Sequence, residues 1–460
     1  MAAETIGDRD RERERHRARA GGGGGERGAP RAPRLRFASG LVMVGPAFAA
    51  AVAYVDPGNF ATDFAAGTDF GPRLLWVVAV ANAFGMLVQI LAAKLGLATG
   101  RNLAELCRER YPAPVVLGLW LVAECVAMAT DLAEVIGGAV ALQLLFHLPL
   151  LVGGVLTTAC SFLLLAGEHR NRRRFEAVVA GCLAVVLAGL AVELARAGTG
   201  PGGAVAAGLV PHAPGSAALV VAGGIVGATV MPHVVFLHSD LSARHRAELP
   251  GTWETKETEQ TVETTDTAES PKPALARLRR QVRIDVFVAL GIAGLANMAM
   301  LVLGTRLSHA GPTAAATLQS IHSALGTDVG KGAALGFAVA LLAAGLASTS
   351  VGTYAGQVIM AGLTGRTLPL TLRRLITALP ALGVLLTGTD PTAALIWSQV
   401  ILSFGIPFVL VPLISCTRDP SLMGPLVNTR AVSAIAMAVA GVILVQNTWL
   451  LATMVQARFR

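Results

Sequence analysis

LVMVGPAFAAAVAYVDPGNFATDFAAG, residues 41–67, is apolar and long enough to cross a bilayer, yet Asp56-Pro57-Gly58-Asn59 stands near its middle. Proline removes a backbone donor and glycine weakens a helix, so the chain should unwind here and release carbonyls such as that of Ala53. A carboxylate at such depth is costly and marks function more often than decoration. A second apolar segment, about 216–241, is broken in the same way by Met231-Pro232-His233. Together the breaks supply a carboxylate, an amide oxygen, a thioether and an imidazole, all metal ligands.

The rest of the chain agrees with a membrane setting. Of 460 residues 53% are hydrophobic and 14% charged, and the mean hydropathy is +0.61, which no soluble chain of this length would show. Apolar runs near the spanning length recur at about 41–67, 73–97, 115–142, 146–167, 175–196, 216–241, 284–306, 332–360, 371–388, 392–415 and 431–453, predicting eleven transmembrane helices in an all-α fold. The division between 371–388 and 392–415 is the least marked. Gly, Ala and Ser inside the runs suit close helix packing.

Arginine sets the orientation. The tail at residues 1–38 is Arg/Gly-rich, and alternate loops carry Arg101, Arg108 and Arg110, then Arg170 and Arg172 to Arg174, then Arg277, Arg279, Arg280 and Arg283, then Arg366, Arg373 and Arg374, then Arg418 and Arg430. These mark the cytoplasmic face, so the N-terminus is expected inside and the C-terminus outside. The net charge of +8 follows from this bias and gives no reason to expect nucleic acid. Residues 1–38 read as a disordered cytoplasmic tail and 39–460 as the transmembrane domain. Within it, 246–276, Thr/Glu-rich over 248–273, reads as a flexible cytoplasmic loop between spans six and seven. The five cysteines show no CxxC spacing and are expected as buried small hydrophobes.

In the third span Glu124, Asp131 and Glu134 are seven and three apart and share one helix face. Such a row can relay protons or line a solvated outer vestibule. Arg373 and Arg374 are either its partners or loop anchors. His233 and His238, five apart, do not share a face, and His233 is either a proton-handling neighbour of the metal or structural. Carboxylate, amide and backbone oxygens suit hard or borderline divalent ions, and a thioether shifts preference toward transition metals. Manganese and ferrous ions fit such a set. No nucleophile–base pair or zinc-hydrolase motif suggests an enzyme.

Asp-Pro-Gly-Asn with Ala-x-x-Met-Pro-His strongly resembles the Nramp (natural resistance-associated macrophage protein) family, in its bacterial manganese/divalent metal branch. Asn102-Leu-Ala-Glu105, Asp131-Leu-Ala-Glu134, Asn297-Met-Ala-Met-Leu301, Tyr354-Ala-Gly-Gln357, Arg373-Arg374 and Ser398-Gln399 add to the resemblance. Val234 departs from it, standing where many members have Asn. The resemblance implies a LeuT-like fold, with spans 1–5 and 6–10 as inverted repeats and spans one and six unwound at midplane. It implies a monomeric plasma-membrane transporter, without prosthetic group, coupling H+ to import of Mn2+ and Fe2+, and by extension Co2+, Cd2+ and Zn2+. The implied metal ligands are Asp56, Asn59, Met231, Gln399 and the carbonyls of Ala53 and Ala228. Protons would pass by His233, Glu124, Asp131, Glu134, Arg373 and Arg374. The alternative on such a fold is an ion-coupled carrier of an amino acid or other organic solute.

Overall fold

The computed structural model describes residues 46–170, 172–198, 202–212, 215–248, 271–307 and 316–458. The expected tail, residues 1–38, lies outside them, as do residues 249–270 of the expected loop. All regular structure among the described residues is helical. The helices are α1 (Pro46–Ala53), α2 (Pro57–Phe70), α3 (Leu75–Thr99), α4 (Leu103–Arg110), α5 (Ala113–Phe146), α6 (Leu150–Arg170), α7 (Arg172–Ala197), α8 (Gly202–Gly208), α9 (Ser216–Val230), α10 (Pro232–Glu248), α11 (Pro271–Arg306), α12 (Leu318–Ala324), α13 (Lys331–Thr364), α14 (Leu370–Thr387), α15 (Pro391–Thr417), α16 (Pro420–Met423) and α17 (Arg430–Arg458).

Nine helical stretches among the described residues are long and apolar enough to cross a membrane, with Leu150–Leu164 a shorter apolar helix. The protein is therefore a multi-span helical membrane protein. Its outer surface is apolar: Leu163, Leu386 and Val445 are 73%, 69% and 67% exposed, which only a lipid-facing helix tolerates in such numbers. Cys125 and Cys160 lie on exposed surface too. Cys182 is half-buried, and the expectation that every cysteine is buried holds only for Cys107 and Cys416, because a membrane helix has an apolar face toward lipid as well as one toward the core.

Helix ends explain several motifs. Asn102 and Glu105 form a reciprocal capping box, with Glu105 N donating to Asn102 Oδ1 at 2.9 Å and Asn102 N to Glu105 Oε2 at 3.1 Å, which satisfies two donors that the first turn of α4 would leave bare. The Asn102 Nδ2 donates to Asp240 Oδ1 on α10 at 3.1 Å, so the cap also ties two helices together. Gly388, at φ 71°, ends α14, and Asp390 caps α15 by accepting from Ala393 N at 2.7 Å. That pair of signals separates the two spans whose division hydropathy marks least.

In the interior α13 packs against α5 and α7, α15 against α9 and α5, α11 against α2 and α3, and α10 against α3. The broken pairs α1/α2 and α9/α10 are thereby surrounded by unbroken helices. Glycines permit the closest approaches. A Cβ on Gly137 of α5 would fall 2.2 Å from Pro57 Cβ, and one on Gly227 of α9 would fall 1.9 Å from the Gln399 carbonyl oxygen of α15.

Candidate metal and proton site

Each helix break is set by its proline. The donor that would close a helical bond to the Ala53 carbonyl belongs to residue 57, and that for Ala228 belongs to residue 232; both are prolines and have no N–H. Ala53 and Ala228 therefore present carbonyls that no i+4 amide can claim. At the first break Asp56 caps α2: its Oδ1 accepts from Asn59 N at 2.9 Å and from Asn59 Nδ2 at 2.7 Å. At the second, Met231 holds φ 35°, one of two non-glycine residues with positive φ among those described. That conformation costs about 1–2 kcal/mol for an L residue and persists because Met231, 1% exposed, is packed from all sides.

One hydrogen bond joins the breaks. Asn59 Nδ2 also donates to the Ala228 carbonyl, at 3.2 Å, while Asn59 Oδ1 accepts from Asn297 Nδ2 of α11 at 3.2 Å. Gln399 reaches the same place from α15, since a Cβ on Gly58 would lie 2.1 Å from its Nε2. Asp56, Asn59, Ala228 and Gln399 are thus brought together, Ala53 ends the half-helix before Asp56, and Met231 follows Ala228 at the opposing break. Asp56, Asn59 and Gln399 are buried. Asp56 Oδ2, Asn297 Oδ1 and Gln399 Oε1 nevertheless have no hydrogen-bond partner among the described residues. Buried polar atoms are normally paired, and these unpaired ones are all acceptors.

The acid row of α5 lies beside this centre. Arg373 makes a two-pronged contact with Glu124, Nη1 to Oε1 at 3.1 Å and Nη2 to Oε2 at 2.9 Å, and Trp120 Nε1 donates to Glu124 Oε1 at 3.1 Å. Arg374 bonds Asp131 and, at 3.2 Å, Glu134 Oε2; its Nη2 also reaches Ser161 Oγ at 3.2 Å and Thr349 Oγ1 at 3.3 Å. Both arginines are buried. They are partners of the acids rather than loop anchors, and Asp131 and Glu134 are buried. Of the buried oxygens of these acids, Glu134 Oε1 alone is left without a partner among the described residues.

His233, buried on the first turn of α10, faces this row through a 3.4 Å contact between its Nδ1 and Thr130 Oγ1. The second histidine points elsewhere, as its spacing requires. His238 Nδ1 lies 2.9 Å from Gln89 Oε1, and Gln89 Nε2 donates to Tyr54 Oη at 3.2 Å, tying α10 and α3 to the end of α1. Sequence reasoning missed this chain, the Asn297 bond to Asn59, and Asp63, a fully buried carboxylate on α2 with neither oxygen partnered. Asp63 could have been found: it lies seven residues after Asp56 on the same helix face. Among the described residues no group of three or more His, Cys, Asp and Glu side chains could hold a metal. Any cation at the breaks would rest on one carboxylate, amides, backbone carbonyls and a thioether.

Fold and site define a multi-span α-helical membrane protein whose buried polar centre lies where two broken helices meet. The family model described as "Natural resistance-associated macrophage protein-like" matches residues 47–453, and the chain belongs to the Nramp family. It is 45% identical over 410 residues to a divalent metal cation transporter MntH of Mycobacterium tuberculosis, covering 89% of this chain and 91% of that one. A protein of the same description from Deinococcus radiodurans is 45% identical over 416 residues, with 89% of each chain covered. Crystal structures of an Eremococcus coleocola manganese transporter superpose with a TM-score of 0.72 at 30% identity, over 90% of this chain and 87% of that one. Mhp1, a nucleobase-cation-symport-1 family transporter, superposes with a TM-score of 0.53 at 17% identity over 90% of this chain and 91% of its own, a likeness of LeuT-like fold alone.

Proposed function

We propose that this protein is a proton-coupled importer of divalent transition-metal ions, Mn2+ and Fe2+ foremost, working by alternating access in the plasma membrane. The observation that carries the reading is the buried set of acceptors, short of donors, at the two breaks. Asp56 Oδ2 and Gln399 Oε1 have no partner among the described residues, and the Ala53 and Ala228 carbonyls are denied helical bonds by Pro57 and Pro232. Such a set suits a cation and repels an organic carboxylate. Met231 adds the soft ligand that favours transition metals over Ca2+ and Mg2+. The relatives named above carry divalent metal cations or manganese by their descriptions, in keeping with this.

The architecture we assign has eleven spans, α1/α2 and α9/α10 each counting as one broken span at the membrane's midplane, with spans one to five and six to ten as inverted repeats. The arginine bias places the N-terminus in the cytoplasm and the C-terminus outside. In that frame α2 and α9 are the outer halves of the broken spans and α1 and α10 the inner halves, and rocking of these pairs against the surrounding helices exposes the site to each side in turn. One chain supplies every ligand, so the working unit is the monomer. Protons take a separate route. Glu124, Asp131 and Glu134 face two guanidiniums, so one carboxyl is in excess of the positive charge, and the unpaired Glu134 Oε1 is where a proton sits. His233 stands between that row and the metal ligands.

Uptake of Mn2+ into proteoliposomes with an internal pH reporter tests the reading. Wild type is expected to accumulate Mn2+ with internal acidification and Asp56→Ala to stay at background. Met231→Ala should transport while discriminating less against Ca2+. Uptake by Asp56→Ala at the wild-type rate would sink the assignment.

A further inference from the structure

Asp63 has no role in the two routes just described, yet it is fully buried and neither of its carboxylate oxygens has a partner among the described residues. A bare carboxylate in apolar surroundings is a liability unless something positive meets it during the protein's working cycle. Its position says where. Residues 56, 59 and 63 lie within about 60° of one another around α2, and Asp63 stands about 6 Å beyond Asn59 along the axis. The row continues to Gly67, whose added Cβ would fall 2.0 Å from the Leu301 carbonyl oxygen. Asn59 contacts Asn297 of the same neighbouring helix, so the row from Asn59 through Asp63 to Gly67 runs along α11. The unmatched buried atoms carried by Asp56, Asp63 and Asn297 are all oxygens.

Charge gives the second argument. Of the side chains assigned to the metal, Asp56 alone is anionic, so a divalent ion bound there keeps one unit of positive charge in a medium that screens it poorly. Seven residues apart along α2, Asp56 and Asp63 stand about 10 Å apart along its axis, within reach of a poorly screened charge. We infer that Asp63 supplies the second negative charge for the transported ion, meeting it with the Asn297 carbonyl on the outer approach along α2 and remaining as its counter-charge when it rests at Asp56. Asp63 is thus a positioning residue for a divalent rather than a monovalent cation. This inference rests on the transport reading above, including its orientation.

The test uses Asp63→Asn, which keeps the shape and removes the charge, and Asp63→Glu, which keeps the charge. Initial rates of Mn2+ uptake into proteoliposomes are measured against Mn2+ concentration, with Mn2+ binding to the purified protein measured by calorimetry. Asp63→Asn should raise KM and Kd about tenfold or more while kcat stays within about twofold, and Asp63→Glu should recover most of the loss. A KM for Asp63→Asn within about twofold of wild type, or equal losses in the Asn and Glu variants, would overturn the inference. Should Asp63→Asn fail to fold, Asp63→Ser replaces it under the same criteria. Wild type and Asp56→Ala run alongside: if wild type takes up no Mn2+, or Asp56→Ala takes it up equally well, the transport reading itself is at fault. If both behave as expected and only the Asp63 variants do not, this inference alone falls.

Discussion

Two buried polar regions, both enclosed by apolar helices, are built in opposite ways. At the helix breaks the unpaired atoms are oxygens: Asp56 Oδ2, Asn297 Oδ1 and Gln399 Oε1. Along α5 and α14 the acids already have cationic partners in place, Arg373 on Glu124 and Arg374 on Asp131 and Glu134. A centre that leaves its acceptors open is incomplete until a cation arrives, whereas one that carries its own cations is complete at rest. The first therefore suits cargo that comes and goes. The second suits a proton, which needs only one spare oxygen and disturbs no packing.

The contrast predicts opposite balances of stability and activity, and the largest effect belongs to the matched region. Removing one partner of a buried pair strands the others, a loss of about 3–5 kcal/mol. Arg374→Ala, which bares Asp131 and Glu134 together, should lower the thermal unfolding temperature of the purified protein far more than Asp56→Ala does. If the two variants unfold at the same temperature, the matched and open regions are not energetically distinct.

Glu134→Gln is the sharper and gentler probe of the same row. It equalises two acids with two guanidiniums and removes the oxygen assigned to the proton, while keeping the volume that Arg374, Ser161 and Thr349 enclose. The protein should fold and bind Mn2+ as wild type does, and proton influx accompanying uptake should fall to the leak of protein-free liposomes. Coupled acidification at the wild-type ratio would show that the proton takes another route.

How much of this could be read from the chain differs between the same two regions. Pro57 and Pro232 announce the breaks, and the residues beside them were legible because a helix signals locally where it stops. The long apolar runs likewise announce the spans, although Gly71–Leu74 is so brief a turn that α2 and α3 form one continuous hydrophobic helical stretch, Pro57–Thr99. The pairing of Arg374 with Asp131 joins residues 243 apart in sequence. No local pattern carries such a contact, so these arginines looked equally like loop anchors. Asp63 was passed over, and Asn297 was noted only within a family motif without its contact to Asn59, for a related reason. A single polar residue in an apolar run gains meaning only when a neighbouring helix shows what stands opposite it.

The smallest effect is expected from an ion pair outside the bundle, which calibrates the buried ones. Arg110 Nη2 meets Asp419 Oδ2 at 2.7 Å on exposed surface, and the same carboxylate accepts from Ser421 N at 2.9 Å and from Ser421 Oγ at 2.5 Å. The Ser421 hydroxyl first, then the Arg110 guanidinium, hold the Asp419 carboxyl down at about 2, below its ordinary 3.8. A carboxyl lowered on folding stabilises the protein above its unfolded value, and that contribution is lost as pH falls from about 4 through about 2. Asp419→Asn should therefore leave Mn2+ uptake unchanged and lower the unfolding temperature at pH 7 only slightly, since water screens an exposed pair. The same small contribution should be missing from the variant's acid profile, which falls less steeply below about pH 4. A neutral-pH destabilisation of Asp419→Asn as large as that of Arg374→Ala would erase the distinction between pairs held in water and pairs held among apolar helices.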